Sequence, residues 1–137
     1  MKEIEISDDG TIVQPSLHDG LVRGVLLCAS KKVLIPIEST DGAGHCLVMH
    51  GVERLRIDDF RQGNIILDVT VSSGAEIEPE DVSYAYDIGE NATPLLLTTM
   101  GRLVREGWLV VRINPSYGCS AVFVCHRIGV EADTLSQ

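Results

Sequence analysis

Short apolar runs separated by turn-forming residues make up most of the first half of the chain, and this spacing is typical of β-strands. Apolar and polar positions alternate over residues 2–6 and, most regularly, over residues 65–71. Alternation of period two puts every second side chain on the same face of a strand. We therefore expect the core to receive four aliphatic side chains of the second segment, those of Ile65, Leu67, Val69 and Val71.

Similar runs predict further strands at residues 21–29, 33–38, 45–50, 52–57, 108–113 and 119–127. The run at 21–29 is almost continuously apolar, which is typical of a strand buried on both faces. Pro36 lacks the N–H that a sheet ladder uses, so we expect its strand at an edge or a bulge. The Asn-Pro-Ser-Tyr-Gly sequence at 114–118 predicts a five-residue turn.

Helical periodicity appears over residues 94–106, which we predict to be the main helix. Thr93 is suited to cap its N-terminus, Pro94 to its first position and Gly107 to its end. One face of this helix would carry the apolar side chains of Leu96, Met100 and Leu103. A shorter helix is predicted at 79–87, where a proline and several acids suit a helix N-terminus.

The chain has 137 residues, of which 45% are hydrophobic and only 4% aromatic, so we expect an aliphatic core. This length suits a single β-rich domain spanning residues 1–137. The predicted fold is mainly β in the α+β class, an antiparallel β-sandwich or partly open barrel with one main helix against it. The polar composition of residues 131–137 predicts a frayed tail.

Twenty acidic and 11 basic residues give a formal net charge of -9 and an isoelectric point near 4.7. A chain of this charge repels phosphate backbones and anionic lipids, which argues against nucleic-acid and membrane partners. No apolar run approaches the roughly 20 residues of a membrane span, and the acidic N-terminus lacks the pattern of a signal peptide. We therefore expect a cytoplasmic protein.

The sequence contains no motif for a cofactor, a metal ion or a catalytic nucleophile. Its cysteines form no CxxC pair and lie in apolar runs, which favours buried thiols over disulfides or zinc ligands. The four cysteines are Cys28, Cys46, Cys119 and Cys125. No glycine-rich phosphate-binding loop is present either. We expect no cofactor, no metal and no catalytic residues.

Three surface features are candidates for binding a partner. His18 and Asp19 precede a strand and form either a ligand-binding pair or, as we favour, a turn that Gly20 completes. Tyr117 is placed either to anchor an interface or to fold back on the sheet. An acidic cluster, which lacks the spacing of a calcium loop, consists of Glu76, Glu78, Glu80 and Asp81.

Residues 17–25, 47–55 and 63–69 include the sequences Leu-His-Asp-Gly-Leu-Val, Val-Met-His-Gly-Val-Glu and Gly-Asn-Ile-Ile-Leu-Asp-Val. In these residues the chain resembles small bacterial β-rich proteins that open with a His-Asp pair before a strand. Some of those proteins resemble immunity proteins of polymorphic-toxin systems. The resemblance implies a non-catalytic protein that binds and neutralises a partner, and an acidic chain would suit a basic toxin.

Three functions follow from these patterns. The first is a non-enzymatic protein-binding domain of the immunity type. The second is a small enzyme or ligand-binding domain with a cleft near His18, Asp19, His50 and His126. The third is a domain that works as a homodimer. A polar pocket that gathers the histidines would favour the second, and an apolar self-complementary patch would favour the third.

Overall fold

The computed structural model describes residues 2–132, which form eleven β-strands, two α-helices and two short 3₁₀ turns. In the first half the strands are β1 (Glu5–Ile6), β2 (Ile12–Gln14), β3 (Leu21–Val22), β4 (Leu26–Cys28), β5 (Lys32–Glu38), β6 (Gly44–His50), β7 (Arg54–Asp58) and β8 (Asn64–Ser72). In the second half the elements are α1 (Pro79–Tyr86), α2 (Thr93–Glu106), β9 (Leu109–Tyr117), β10 (Ser120–Cys125) and β11 (Arg127–Ala132). The 3₁₀ turns are Ala29–Lys31 and Gly74–Glu76.

Nine of these strands form one antiparallel sheet in the order β11-β6-β5-β3-β8-β9-β10-β7, with β4 paired to β5. Strands β1 and β2 form a separate two-stranded hairpin. The prediction of a mainly β fold of the α+β class is confirmed. The large sheet does not close into a barrel.

Side chains from both halves of the large sheet belong to one buried cluster, the main core. Ile35 and Leu47 from β5 and β6 lie in this cluster together with Val111 and Phe123 from β9 and β10. Strand geometry turns the alternate residues of β9 and β10 to the opposite face. There they pack against the helices in a second cluster that contains Val110, Val122, Val124, Val82, Leu103 and Trp108.

The N-terminal segment joins the two halves of the sheet. Lys2 exchanges backbone hydrogen bonds with Val130 of β11, and the Val71 N–H of β8 donates to the Gly10 carbonyl at 2.8 Å. Gly10 has φ +88°, and a Cβ at this position would lie 2.9 Å from the Val71 carbonyl oxygen. Glycine is therefore required for this close approach.

Both helices form where the sequence predicts them, although one cap differs. The main helix includes Thr93, so Ala92 and not Thr93 occupies the N-cap position. Gly107 ends the helix as predicted, at φ 74°, with its N–H directed to the carbonyls of Leu103 and Val104. The shorter helix ends at Asp87, which adopts a left-handed conformation.

The prediction of one doubly buried strand at 21–29 is wrong. The segment forms two short strands, β3 and β4, and all three residues of β4 are exposed. Arg23 interrupts the segment, and its N–H donates to the Pro36 carbonyl at 2.8 Å. This interruption explains how Pro36 lies inside the sheet and not at an edge, since its nitrogen faces a break in the neighbouring strand.

The end of the chain differs from the predicted pattern in two places. Strand β9 continues to Tyr117, so the predicted turn at 114–118 is wrong and the chain reverses at Gly118, which has φ 81°. The predicted strand at 119–127 is divided between β10 and β11. Of the predicted tail at 131–137, the first two residues belong to β11, and residues 133–137 lie outside the described residues.

The prediction of which β8 side chains face the core is correct for Val69 and Val71 and wrong for Ile65 and Leu67. Val69 is buried and Val71 packs against the main core, whereas Ile65 does not join it and Leu67 is 47% exposed. The pairing of β8 with β9 shifts on both sides of Ile66, and Leu67 has no opposite residue. This bulge turns Ile66, which is fully buried, into the core in place of Leu67.

The bulge can be tested by comparing two alanine substitutions. We expect Ile66→Ala to lower the free energy of unfolding by about 2–5 kcal/mol, because it leaves a cavity in the core. Leu67→Ala should cost less than about 1 kcal/mol, since its side chain remains half in solvent. Urea denaturation of both variants measures the difference. A larger loss for Leu67→Ala than for Ile66→Ala would contradict the register described here.

Candidate functional site

A groove of about 610 Å³ lies on the surface between the N-terminal hairpin, β8 and the start of β11. We call it the acidic groove. Its apolar walls include Ile4, Val71, Leu109 and Ile128. The groove lies where the N-terminal segment spans the two halves of the sheet, so its shape depends on the backbone bonds to Val71 and Val130.

Acidic residues from two distant segments of the chain line the acidic groove. The described lining residues include five acidic side chains, those of Asp8, Asp9, Glu76, Glu78 and Asp81. Arg127 is the one basic side chain among them. The predicted cluster therefore contributes three of its four members and is joined by two acids of the N-terminal hairpin. Glu80, the fourth member, is exposed and is not among the groove residues.

Asp9 is held by the turn that joins β1 to β2. Its Oδ1 accepts hydrogen bonds from the Ser7 hydroxyl and from the Thr11 N–H. These bonds lower the pKa of the Asp9 carboxyl, the Ser7 hydroxyl having the largest effect. The side chain thus stays anionic at neutral pH, and the turn presents it at the rim of the groove.

Asp81 is the groove acid that forms an ion pair with a basic side chain. It is buried, and its Oδ1 accepts a hydrogen bond from the Arg112 guanidinium at 2.5 Å. Arg112 Nε also donates to Asn114 Oδ1 at 2.7 Å, and the Asn114 amide donates to Asp68 at 2.6 Å. The charge of Asp81 is therefore used to hold α1 on the sheet, which leaves Glu76 and Glu78 as the more available acids.

His18 and Asp19 lie in a turn, as the favoured interpretation expected, and not in the acidic groove. The Gly20 N–H donates to the Leu17 carbonyl at 2.9 Å, and Asp19 has φ 62°. His18 Nδ1 lies 2.7 Å from the Leu67 carbonyl oxygen, at the bulge of β8. The exposed His18 and Asp19 side chains are 3.5 Å apart, which is a loose ion pair at most.

A smaller groove of about 360 Å³ lies beside His18, but its described lining contains no second histidine. His126 lies elsewhere, stacked on Trp108 with ring centroids 3.7 Å apart. Its backbone N–H donates to the His50 carbonyl, so these two histidines are neighbours. The structure therefore divides the four residues of the predicted cleft into two separate pairs.

Tyr117 is 53% exposed at the end of β9, and the Arg61 guanidinium carbon lies 5.8 Å from the centre of its ring. The buried Asn64 fixes this corner of the sheet. Its side-chain oxygen accepts hydrogen bonds from the N–H groups of Arg61 and Cys119. A Cβ at Gly118 would lie 2.5 Å from that oxygen, so the turn requires glycine. Tyr117 is not among the residues of the acidic groove.

Sequence reasoning missed a polar network that fastens α2 to the sheet. Arg102 donates to both carboxylate oxygens of Glu53, at 2.7 and 3.1 Å, and the Tyr86 hydroxyl donates to the same carboxylate. Arg102 also bonds Glu106, which accepts a hydrogen bond from the Trp108 indole. Residues 53 and 102 are 49 positions apart, and no local signal connects them.

The network perturbs the ionisation of its members. The hydrogen bonds from the Arg102 guanidinium keep the pKa of the Glu53 carboxyl below its ordinary value, although partial burial opposes them. Burial and the Glu53 carboxylate raise the pKa of Tyr86 to about 12. Both shifts favour a charged Glu53 and a neutral Tyr86 at neutral pH, as a network for stability requires.

Comparison with protein-family models, curated proteins and solved structures finds no match to this chain. Neither α-helix has the length and apolar character needed to cross a membrane. Within residues 2–132, no group of three or more His, Cys, Asp or Glu side chains is arranged to hold a metal ion.

Replacement of Glu53 tests the network through pH. Because the pKa of Glu53 is lowered on folding, its contribution to stability is present above its ordinary value of 4.5 and is lost as pH falls through the folded-state value. We expect Glu53→Gln to lower the free energy of unfolding by about 1–3 kcal/mol at neutral pH. The difference in the free energy of unfolding between Glu53→Gln and wild type should become smaller below pH 4.5. Glu90→Gln at an exposed site is the control, and a pH-independent deficit would contradict this role.

The thiols differ in accessibility, and the expectation of buried thiols holds for three of the four. Cys46, Cys119 and Cys125 are buried, whereas Cys28 is exposed. Burial raises the pKa of the Cys119 thiol and raises that of Cys125 to about 12. A soluble thiol reagent should label one cysteine per native chain quickly. The Cys28→Ser variant should lose this rapid labelling. Rapid labelling of a second cysteine would contradict the burial described here.

Proposed function

We propose that this protein is a non-enzymatic binding domain that receives a basic segment of another protein in the acidic groove. The observation that supports this function most strongly is the convergence of Asp8 and Asp9 with Glu76 and Glu78 on one groove. The groove also has apolar walls, formed in part by Ile4 and Val71. Lysine and arginine side chains match this combination, because their stems are apolar and their ends are cationic.

The charge of the whole chain supports the same function. A net charge of -9 on a small domain produces a broad negative potential, which speeds the encounter with a basic partner. We further propose the immunity type of this function, in which the bound partner is a basic toxin and binding neutralises it. This form is supported by the resemblance in residues 17–25, 47–55 and 63–69.

In this proposal the large sheet curls into a partly open barrel. The groove would occupy the gap between β11 and β8, which the N-terminal segment spans through Lys2 and Gly10. The walls of such a gap are held by strands on both sides, so a bound segment would meet preformed side chains. A preformed groove loses less entropy on binding than a mobile one.

Two charge-neutralising double variants test the groove against the charge of the whole chain. Glu76→Gln/Glu78→Gln removes two groove carboxylates, and Glu80→Gln/Glu90→Gln removes two exposed acids outside the groove. Both variants have the same net charge. The measurement is association kinetics, at low and high salt, with a partner recovered from the source cell by the wild-type domain.

We expect the groove variant to associate several-fold more slowly and the control to resemble wild type, since nearby charge controls the encounter rate. Association of the wild type should slow as salt rises. Equal losses in both variants would show that net charge alone is responsible and would contradict the groove. Recovery of no partner, with turnover of a small molecule that depends on His18 or Asp19, would support the enzyme instead.

A further inference from the structure

A buried side chain separates the two groove acids Glu76 and Glu78. Both acids are exposed and line the acidic groove, whereas Ile77 between them is 4% exposed and is not among the described lining residues. Ile77 belongs instead to the second buried cluster, together with Leu103 of α2 and Val122 of β10. The position of both carboxylates therefore depends on how firmly Ile77 is held in that cluster.

Helix α2 contributes to this cluster, but few of its side chains hold it there. Among its 14 residues, all of which the structure describes, only Leu103 is buried. Two further apolar side chains of the helix pack on the cluster while partly exposed, and Leu95 and Leu97 are more than half exposed. The helix lies against the Gly74–Glu76 turn, which leads directly into Ile77. An element with so little buried surface opens locally at a lower free energy than the sheet beneath it.

An ion pair fastens α2 to the sheet beside its buried residue. Arg102, which precedes Leu103, donates to both carboxylate oxygens of Glu53. Glu53 is itself fixed, because its backbone N–H donates to the Val124 carbonyl of β10 at 2.8 Å. Both side chains are partly buried, so solvent screens the pair only in part. Loss of the pair should therefore favour the release of α2 from the sheet.

We propose that Ile77 is a positioning residue of the acidic groove and that the docking of α2 controls the groove through it. With α2 docked, Ile77 and Leu103 share the buried cluster, and Glu76 and Glu78 are held in the groove. With α2 released, Ile77 loses part of its packing and the two carboxylates lose their fixed positions. This inference rests on the proposed function, because it concerns the affinity of the same groove for a basic segment.

The docking of α2 and binding in the groove are then linked in both directions. A ligand that binds only the docked form favours docking, and by reciprocity docking favours the ligand. The release of α2 becomes rarer by a factor of one plus the ratio of free ligand to Kd, which is about 10-fold at about nine times Kd. The ligand does not need to touch α2, which has no residue among the described lining of the groove.

Replacement of Ile77 tests its positioning role without changing a described groove side chain or the net charge. The probe is a short synthetic peptide that alternates lysine and leucine, and titration calorimetry measures its affinity. We expect Ile77→Ala to weaken binding at least about 3-fold, since ordering the released carboxylates opposes binding. Ile77→Val, which keeps most of the packing, should bind the peptide as wild type does.

Val122→Ala is the matched control for the cavity. It removes packing from the same buried cluster, but Val122 and its neighbours in β10 are not among the described groove residues. We expect this variant to bind the peptide as wild type does. Circular dichroism verifies that each variant folds.

A buried thiol at position 77 measures the release of α2. In a Cys28→Ser background, which removes the exposed native thiol, the Ile77→Cys side chain should react with a soluble reagent only when it is uncovered. We expect Glu53→Gln to speed this labelling at least about 5-fold, because it weakens the bonds to Arg102. Glu90→Gln, at an exposed site, should leave the rate unchanged. The peptide, at about nine times its Kd for the labelled variant, should slow labelling about 10-fold.

The outcomes separate the positioning role from a general loss of stability and from the proposed function. No loss of affinity in Ile77→Ala, or an equal loss in Val122→Ala, would overturn the positioning role. Labelling at position 77 that does not respond to Glu53→Gln, or to a peptide that binds, would overturn the control by α2. A wild type that does not bind the peptide would contradict the proposed function, whereas faster labelling in Glu53→Gln would still support the hold of α2 on Ile77.

Discussion

The hydrogen bond from the Val71 N–H to the Gly10 carbonyl holds the N-terminal hairpin on β8, and the acidic groove depends on it. The bond allows the Asp8–Asp9 turn to lie near Glu76 and Glu78. A second attachment, between Lys2 and Val130, fixes the other end of the segment on β11. The close approach at Gly10 leaves no room for a side chain, so one glycine controls the position of two carboxylates.

Features that depend on neighbouring residues could be predicted from the sequence. Pro94 and Gly107 define the ends of the main helix through local backbone preferences, which act in the same way wherever the helix packs. The turn at His18 and Asp19 likewise follows from the residues within it. The mainly β class follows from alternation and short apolar runs, which need no knowledge of strand order.

Features that depend on strand pairing could not be predicted. Leu67 lies outside the core because β9 pairs with β8 in a shifted register, and the sequence of β8 alone contains no sign of the shift. Pro36 is accepted inside the sheet because the neighbouring chain is interrupted at Arg23. Glu80 and Asp81 are adjacent in sequence, yet only Asp81 forms an ion pair with Arg112. That difference depends on how α1 packs against the sheet.

The acidic groove is the proposed binding surface of this protein. Its most direct test is an NMR titration of the labelled protein with a short synthetic peptide that alternates lysine and leucine. We expect chemical-shift changes concentrated in residues 4–10, 70–78 and 127–128, the segments that contain most of the residues lining the groove. Changes concentrated near His18 or Tyr117, or spread evenly over the surface, would contradict it.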